Sequence, residues 1–393
     1  MTALPPPIMT SEIGSFARKT IEELKPGIIE NLLNEYDYTP KIRKSLFDLK
    51  SEMANGPLKP LQEQTSDSPI WDADIKAFEG KSWLDIPWIL AETYFFRRIL
   101  EAIQYFQPGP WQGKDPFQHL KNREVSKALL EFSEVYQNEG DKSERDAFQE
   151  SCYQSLRGNQ SDLSNLQTYD AVTGHPAEKF IIDQSMAAFD YVSQQPGKIA
   201  YFCDNVGKEL YFDLAFIDIL LQKNLAQSIT CYLKNQPFFV SDALPKDFHR
   251  TIDRLASTSA PECENLAERL THGIKSGKIT IETPPFLTTG RVFREMPESM
   301  KSHIRKHDLA ILKGDVNFRK LVGDRHWDPT IPIEKAADYF PTTFLSLRTL
   351  KSELIVGLTR EQLNNLETNA EKNWLINGKR GMIIFLKNTN NVK

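Results

Sequence analysis

Residues 198–213, KIAYFCDNVGKELYFD, set an acid and an amide side by side at the end of an apolar run. Ile199 to Cys203 has the length of a strand, and Asp204-Asn205 follows it directly. Beyond Val206-Gly207 an amphipathic helix pattern begins, with Leu210, Leu214, Ile217 and Leu221 on one face. Carboxylate and amide oxygens are hard ligands for a divalent cation such as Mn²⁺, Co²⁺, Ni²⁺ or Mg²⁺. The C-terminal lip of a strand is where open α/β sheets bind ligands. A plainer reading makes Asn205 a helix cap and has Asp204 satisfy loop amides. Neither duty calls for a second polar residue or for an acid one turn later, yet Glu209 and Asp213 follow.

Four more segments carry side chains suited to a phosphorylated ligand. FFVSD, residues 238–242, precedes a helix starting near Pro245 and adds a third oxygen ligand, Asp242. LKGDVNFRK, residues 312–320, follows the strand-like DLAIL. In it Gly314 permits close backbone approach, Asp315 and Asn317 suit sugar hydroxyls, and Arg319 or Lys320 can offset phosphate charge. LSLRTLK, residues 345–351, runs from a strand into a polar turn whose Arg348, Thr349 and Lys351 make a phosphate clamp. A helix starting there would set two cations against its positive end unless an anion lay between them. LRGNQSDLS, residues 156–164, reads as a Gly-Asn turn followed by Ser-Asp, which is loop chemistry by itself.

The elements that must position these residues divide the chain. The Pro-rich first ten residues read as disordered, and residues 11–177 read as helical, with apolar residues at helical spacing in 20–33, 42–53, 88–103 and 126–136. PLKPL, SDSPIWD, QPGPWQGKDP and NEGDKSE read as links. From 178 to 393 strand-length runs alternate with helical stretches. Strands are expected at 198–203, 228–233, 278–282, 308–313, 343–347 and 381–386. The expected fold is therefore α/β: a mostly parallel sheet with helices on both faces, preceded by an all-helical domain. Parallel strand ends share one edge, so the segments above can converge there.

The 393 residues are 40% apolar and 26% charged, as in an ordinary soluble protein. The net charge of −5, with no dominating Lys/Arg block, argues against a nucleic-acid partner. No apolar run approaches the ~20 residues of a membrane span, and the start lacks the pattern of a secretory signal. The four cysteines form no CxxC pair and read as reduced thiols, so a cytoplasmic or nuclear monomer is expected. Other motifs carry less. His303 and His307 are spaced like helix-borne zinc ligands, but beside Arg305-Lys306 they read as surface residues. Asp72 and Asp74 follow no strand, and Arg97-Arg98 reads as an exposed pair on a packing helix. There is no P-loop, no GxGxxG and no GxSxG.

Taken together, the segments resemble the metal-dependent damage-control phosphatases, in the subgroup described both as sugar-phosphate phosphatases and as acidic-residue protein methyltransferases. The resemblance spans nearly the whole chain: GSFARKTIEELKP, WILAETYFFRRILEAI, SLRGNQSDLS, FCDNVGKELYFDL, FFVSDALPKDF, LKGDVNFRKLVGDRHW and SLRTLKSELIVGL. It implies that Asp204, Asn205 and Asp242 hold a divalent metal and form the catalytic centre. It implies substrate contacts from Glu209, the Asp315 to Arg319 stretch and Lys351, to which we add Arg348, Asn159 and Asp162. Arg157 and Phe318 stand where the subgroup often has Trp and Tyr, and loss of that phenol removes one substrate hydrogen bond. The implied activity is hydrolysis of small phosphate monoesters, sugar phosphates such as fructose 1-phosphate or fructose 6-phosphate. The alternative is S-adenosylmethionine-dependent methylation of protein carboxylates. It is disfavoured because Asp-Asn-Val-Gly lacks the glycine cluster of such a cofactor turn.

Overall fold

The structure, a computed structural model, describes residues 4–136, 142–159 and 180–389. Through residue 159 its regular elements are helices: α1 (Phe16–Lys19), a π-helical turn (Thr20–Leu24), α2 (Lys25–Glu35), α3 (Pro40–Asn55), α4 (Ser68–Lys76), α5 (Trp88–Ala102), α6 (Gln118–Val135) and α7 (Glu144–Asn159). Then come β1 (Phe180–Asp183), α8 (Ser185–Gln194), β2 (Gly197–Phe202), α9 (Lys208–Gln222), β3 (Ala226–Tyr232), α10 (Pro245–Ala256), α11 (Pro261–Lys275) and β4 (Ile279–Glu282). The chain continues with α12 (Glu298–Ile304), β5 (Leu309–Lys313), α13 (Gly314–Val322), α14 (Ile333–Ala337), β6 (Phe344–Thr349), α15 (Arg360–Asn369) and β7 (Gly381–Leu386).

The strands form one sheet in the order β1-β7-β6-β5-β2-β3-β4. The pairs β4-β3, β3-β2, β2-β5 and β5-β6 are parallel, β6-β7 is antiparallel and β1-β7 is parallel. The six expected strands are present. β1 has no counterpart in the sequence reading, since FIID is too short and too exposed to show a period. Side chains alternate between two cores. Ile199, Tyr201 and Cys203 join one with α6, α7, α9, α10 and α11, and Ala200 and Phe202 join the other with α12, α13 and α14. A third core gathers α2 to α5 and takes in Phe238, Phe239 and Val240 from the sheet's upper edge.

Several expectations change. Residues 4–10 are not disordered: Ile8 and Thr10 are buried, the Ile8 amide donates to Asp324 O at 3.0 Å, and the Trp88 amide donates to Ile8 O at 2.9 Å. SDSPIWD is not a link throughout, since α4 begins within it at Ser68. Gly158-Asn159 is no turn, because α7 runs through it and a Cβ on Gly158 would stand 2.6 Å from Glu209 Cα. α9 is buried on every side from Glu209 to Leu220, not amphipathic, because α6 and α7 cover the face it would have shown to water. The packing thus does not divide where the secondary structure changes. Among the described residues no helix is long and apolar enough to cross a membrane.

Lys121 of α6 ties the helical layer to the sheet edge. Its ammonium is fully buried, 2.9 Å from Asp115 and 3.0 Å from Asp247, and donates to Asp242 O at 2.6 Å. Lys121→Met removes the nearest and only fully buried cation from two buried carboxylates, leaving Lys246 and Arg250 at 3.9 and 4.0 Å, and a loss of roughly 3–5 kcal/mol is expected. Urea unfolding monitored by fluorescence checks this, and a change within 1 kcal/mol or so would contradict it.

Candidate active site

β2 and β5 are neighbours although β3 and β4 intervene in sequence, so the chain reverses its direction of travel across the sheet between them. Such a switch point opens a crevice beyond the strand ends. Phe202 pairs with Leu312 across it, so Asp204-Asn205 and Gly314-Asp315 leave the sheet at the same level. The segment carrying Asp242 is drawn in by backbone pairing. Val206 N donates to Ser241 O and Ala243 N to Asp204 O, both at 2.8 Å, which places Asn205 opposite Asp242. Phe239, just before, holds φ +48, a strained setting for a bulky residue, and its ring lines the pocket.

Asp204, Asn205, Asp242, Asp315, Arg319 and Lys351 line one pocket, with Ser241 and Val316. Asn205 caps nothing; the position before α9 belongs to Gly207. Its amide donates to Asp204 Oδ2 and Glu209 Oε2 at 2.9 Å, and its Oδ1 accepts from Ser241 Oγ at 2.7 Å. Asp204 fits because residue 314 is glycine. A Cβ there would lie 1.8 Å from Asp204 Oδ2, and Gly314 also holds φ +81. The Lys234 ammonium stands 3.0 Å from Asp242 Oδ2. Burial pulls the Lys234 pKa down, but Asp242 and Asp204 outweigh it and keep the ammonium protonated.

The remaining expected contacts serve other duties. Glu209 is not at the pocket surface. It holds the Asn205 amide and sits 3.2 Å from Lys313, which also meets Asp213 at 3.2 Å. Burial pushes Asp213 up to about 6, even against Lys313 and the hydroxyls of Ser155 and Tyr201. Arg348 is fully buried within β6, where no helix starts, and it is not among the residues lining the pocket. It lies over the Phe318 ring and donates to Asp315 Oδ1 at 2.7 Å, while Ser352 Oγ donates to the same oxygen at 3.0 Å. Phe318 is therefore a floor for Arg348 within the core, and a phenol there would not face the pocket. Asn317 turns back onto Lys313 O at 2.8 Å. Arg319 reaches the pocket wall already bound to Glu92 at 2.6 Å and Asp324 at 2.7 Å, and stacked 3.5 Å over Trp88. The side chain of Asn159, and Asp162 altogether, lie outside the described residues.

The opposite wall comes from the helical layer; the resemblance sets the WILAETYFFRRILEAI helix near the cleft, but the sequence reading named none of the wall's residues as contacts. Phe16, Thr20, Leu24 and Lys25 approach from one chain segment, and Trp88 and Glu92 from α5. The signal was present as GSFARKTIEELKP and WILAETYFFRRILEAI, but helical spacing reports which face packs, not what lies opposite a sheet edge. Arg97 and Arg98, expected to be exposed, are buried against Asp67, Glu63 and Glu52. His307 is likewise buried and bonds Thr230 Oγ1 at 3.0 Å.

Among the described residues no three His, Cys, Asp or Glu side chains group to hold a metal. A cation in this pocket would rest on two carboxylates and one amide, Asp204, Asp242 and Asn205. That oxygen set, with the Gly314 cradle beside Asp204, fits a hard divalent ion.

Residues 19–366 match the model of the damage-control phosphatase ARMT1-like domain. The chain belongs to that family. It is 28% identical to damage-control phosphatase ARMT1 of Danio rerio over 97% of both chains. It is 27% identical to that of Homo sapiens over 98% of this chain and 99% of the relative. A DUF89 family protein of Pyrococcus horikoshii shares the fold at a TM-score of 0.50 and 15% identity, covering 94% of this chain and 97% of that one. Membership of the family makes the protein a phosphatase.

In this phosphatase, Gly314→Ala should push the Asp204 carboxylate aside. Phosphomonoester turnover is expected to fall about 100-fold or more, as misplacement by an ångström can cost that much. Turnover within threefold of the unmodified protein would overturn the packing argument. Lys313→Met should destabilise the fold in a pH-dependent way. Asp213 is raised to about 6 from 3.8, so the stability from its bound proton is present below about pH 4 and lost as pH rises through 6. Without Lys313 the ionised form costs more. The stability gap between variant and parent should therefore widen from pH 5 to pH 8, reaching roughly 3–5 kcal/mol. Urea midpoints at the two pH values decide it, and a constant or narrowing gap contradicts it.

Proposed function

We propose that this phosphatase hydrolyses small phosphate monoesters, sugar phosphates such as fructose 1-phosphate or fructose 6-phosphate, with a divalent cation held by Asp204, Asn205 and Asp242. The observation that carries this reading is the convergence of those three side chains with Asp315, Arg319 and Lys351 in one pocket at the switch point. Mn²⁺, Co²⁺, Ni²⁺ or Mg²⁺ would serve, since oxygen ligands select weakly among them. When bound, such an ion polarises a phosphoryl oxygen and lowers the pKa of its water.

The protein's own groups set the rest. Lys351 offsets charge on the phosphoryl oxygens from the pocket wall. Asp315, pinned by Arg348 and Ser352, presents a fixed carboxylate to a hydroxyl or to water. Asn205 cannot turn, because Glu209 and Asp204 take its amide hydrogens and Ser241 takes its oxygen. Phe16, Trp88 and Phe239 limit water on the far side. The methyl-transfer alternative lacks comparable support. Gly207 is the lone glycine between β2 and α9, and the turn is occupied by the Asp204-Asn205 pairing instead.

The test is hydrolysis of p-nitrophenyl phosphate and fructose 1-phosphate after chelation and after adding back Mn²⁺ or Co²⁺. Activity should vanish on chelation, return with metal, and fall about 1,000-fold or more in the Asp204→Ala, Asp242→Ala double variant. Hydrolysis that survives both treatments would end this mechanism.

A further inference from the structure

The wall facing the strand ends holds a buried charged pair that the chemistry above leaves unused. Lys25 and Glu92 both line the pocket, although their side chains are only 7% and 5% exposed. The Lys25 ammonium stands 2.7 Å from Glu92 Oε1, and Arg319 Nη1 takes Oε2. Phe96 and Phe239 lie beneath the ammonium at 5.1 and 5.6 Å.

The four charges of this group balance. Lys25 and Arg319 are matched by Glu92 and by Asp324, which holds the other edge of the Arg319 guanidinium. A neutralised group has little net field for a phosphate. It still offers directed hydrogen bonds, a donor at Lys25 beside an acceptor at Glu92, and each carboxylate oxygen has a second lone pair. That pairing matches a hydroxyl, which accepts from one neighbour and donates to the next.

A buried ion pair is a weak source of stability compared with apolar side chains of the same volume, so its place in a pocket wall calls for another reason. Lys25 is also set by an unusual backbone. The π-helical turn Thr20–Leu24 immediately precedes it, and such turns are frequent at functional sites. Thr20 accepts from Trp88 Nε1 at 2.7 Å and donates to Ala17 O at 2.7 Å, which fixes the turn against α5.

We propose that the Lys25–Glu92 pair is the specificity element of the pocket, reading hydroxyl groups on the leaving group of a phosphorylated polyol. This rests on the phosphatase reading above. The phosphate end lies with Asp204, Asp242 and Lys351, and the hydroxylated end lies against α2 and α5.

The test compares two substrates with the same phosphate and different leaving groups, fructose 1-phosphate and p-nitrophenyl phosphate, using the full chain with Mn²⁺. In Lys25→Met, kcat/KM on fructose 1-phosphate should fall about 10- to 100-fold further than on p-nitrophenyl phosphate, the worth of a hydrogen bond from a charged group. Most of that loss should appear in KM. Glu92→Gln should show the same sign, and Lys25→Gln, which keeps a donor, should recover part of the difference. Equal losses on both substrates, or none on either, would reduce the pair to a structural tie and overturn the proposal. Calorimetry separates the two readings. If the unmodified protein binds fructose 1-phosphate more tightly than inorganic phosphate and Lys25→Met removes that preference, the proposal stands even where turnover fails. If the preference is absent or survives the substitution, the proposal falls while the phosphatase reading is decided by turnover alone.

Discussion

One short backbone pairing holds the site together. Asn205 lies opposite Asp242, with an amide-to-carbonyl bond on either side. Without it the Asp242 segment, ten residues beyond the end of β3, would have no reason to return to the mouth of β2. The pairing is itself anchored from behind. Lys121 holds Asp242 O, and Lys234 holds the Asp242 carboxylate. Both lysines are buried, and both stay charged because carboxylates outweigh the cost of burial. The helical layer is therefore part of the site rather than an attachment to it, since the cation of α6 reaches the strand edge.

The same logic recurs around the pocket. The oxygen donors proposed for a cation are few, and each is held by a group that never reaches the surface. Gly314 makes room for Asp204, Glu209 holds Asn205 and Lys234 holds Asp242, while beside them Arg348 with Ser352 holds Asp315. Buried networks of this kind restrict motion when every member is satisfied. They also explain why polar residues expected at the surface are found inside. Arg348, Asn317 and Glu209 have the right types and spacing for substrate contact, but each is drawn to a buried neighbour: Arg348 to Asp315 and Ser352, Asn317 to Lys313 O, and Glu209 to Asn205 and Lys313.

Family membership and this geometry bear on different questions. The match to the damage-control phosphatase ARMT1-like domain identifies the class of enzyme. The pocket suggests how one such chain divides its work: charge and metal chemistry at the strand ends, and a neutral, hydroxyl-sized match along α2 and α5. In the proposed division, the neutrality of the Lys25, Glu92, Arg319 and Asp324 group would separate the two ends, because a phosphate is drawn to net charge and a hydroxyl is not.

The sequence by itself determined the sheet's strands, their mostly parallel arrangement and the lip on which Asp204 and Asn205 sit. Strand length and the change from helical to strand periodicity are local properties, legible in a few consecutive residues. It also marked Asp242, Asp315 and Lys351, whose chemistry is conspicuous beside a strand end. Local pattern did not reach β1, because three half-buried residues and one exposed one show no period and gain their place by pairing with β7. Nor did it reveal that α9 is enclosed on all sides, or that Arg97, Arg98 and Arg348 are buried. Only the tertiary structure decided these, since burial depends on what packs opposite, in segments distant along the chain. Lys25 and Glu92 are the clearest case: their spacing is that of ordinary helix charges, and only the docking of α2 and α5 over the switch point turns them toward the site.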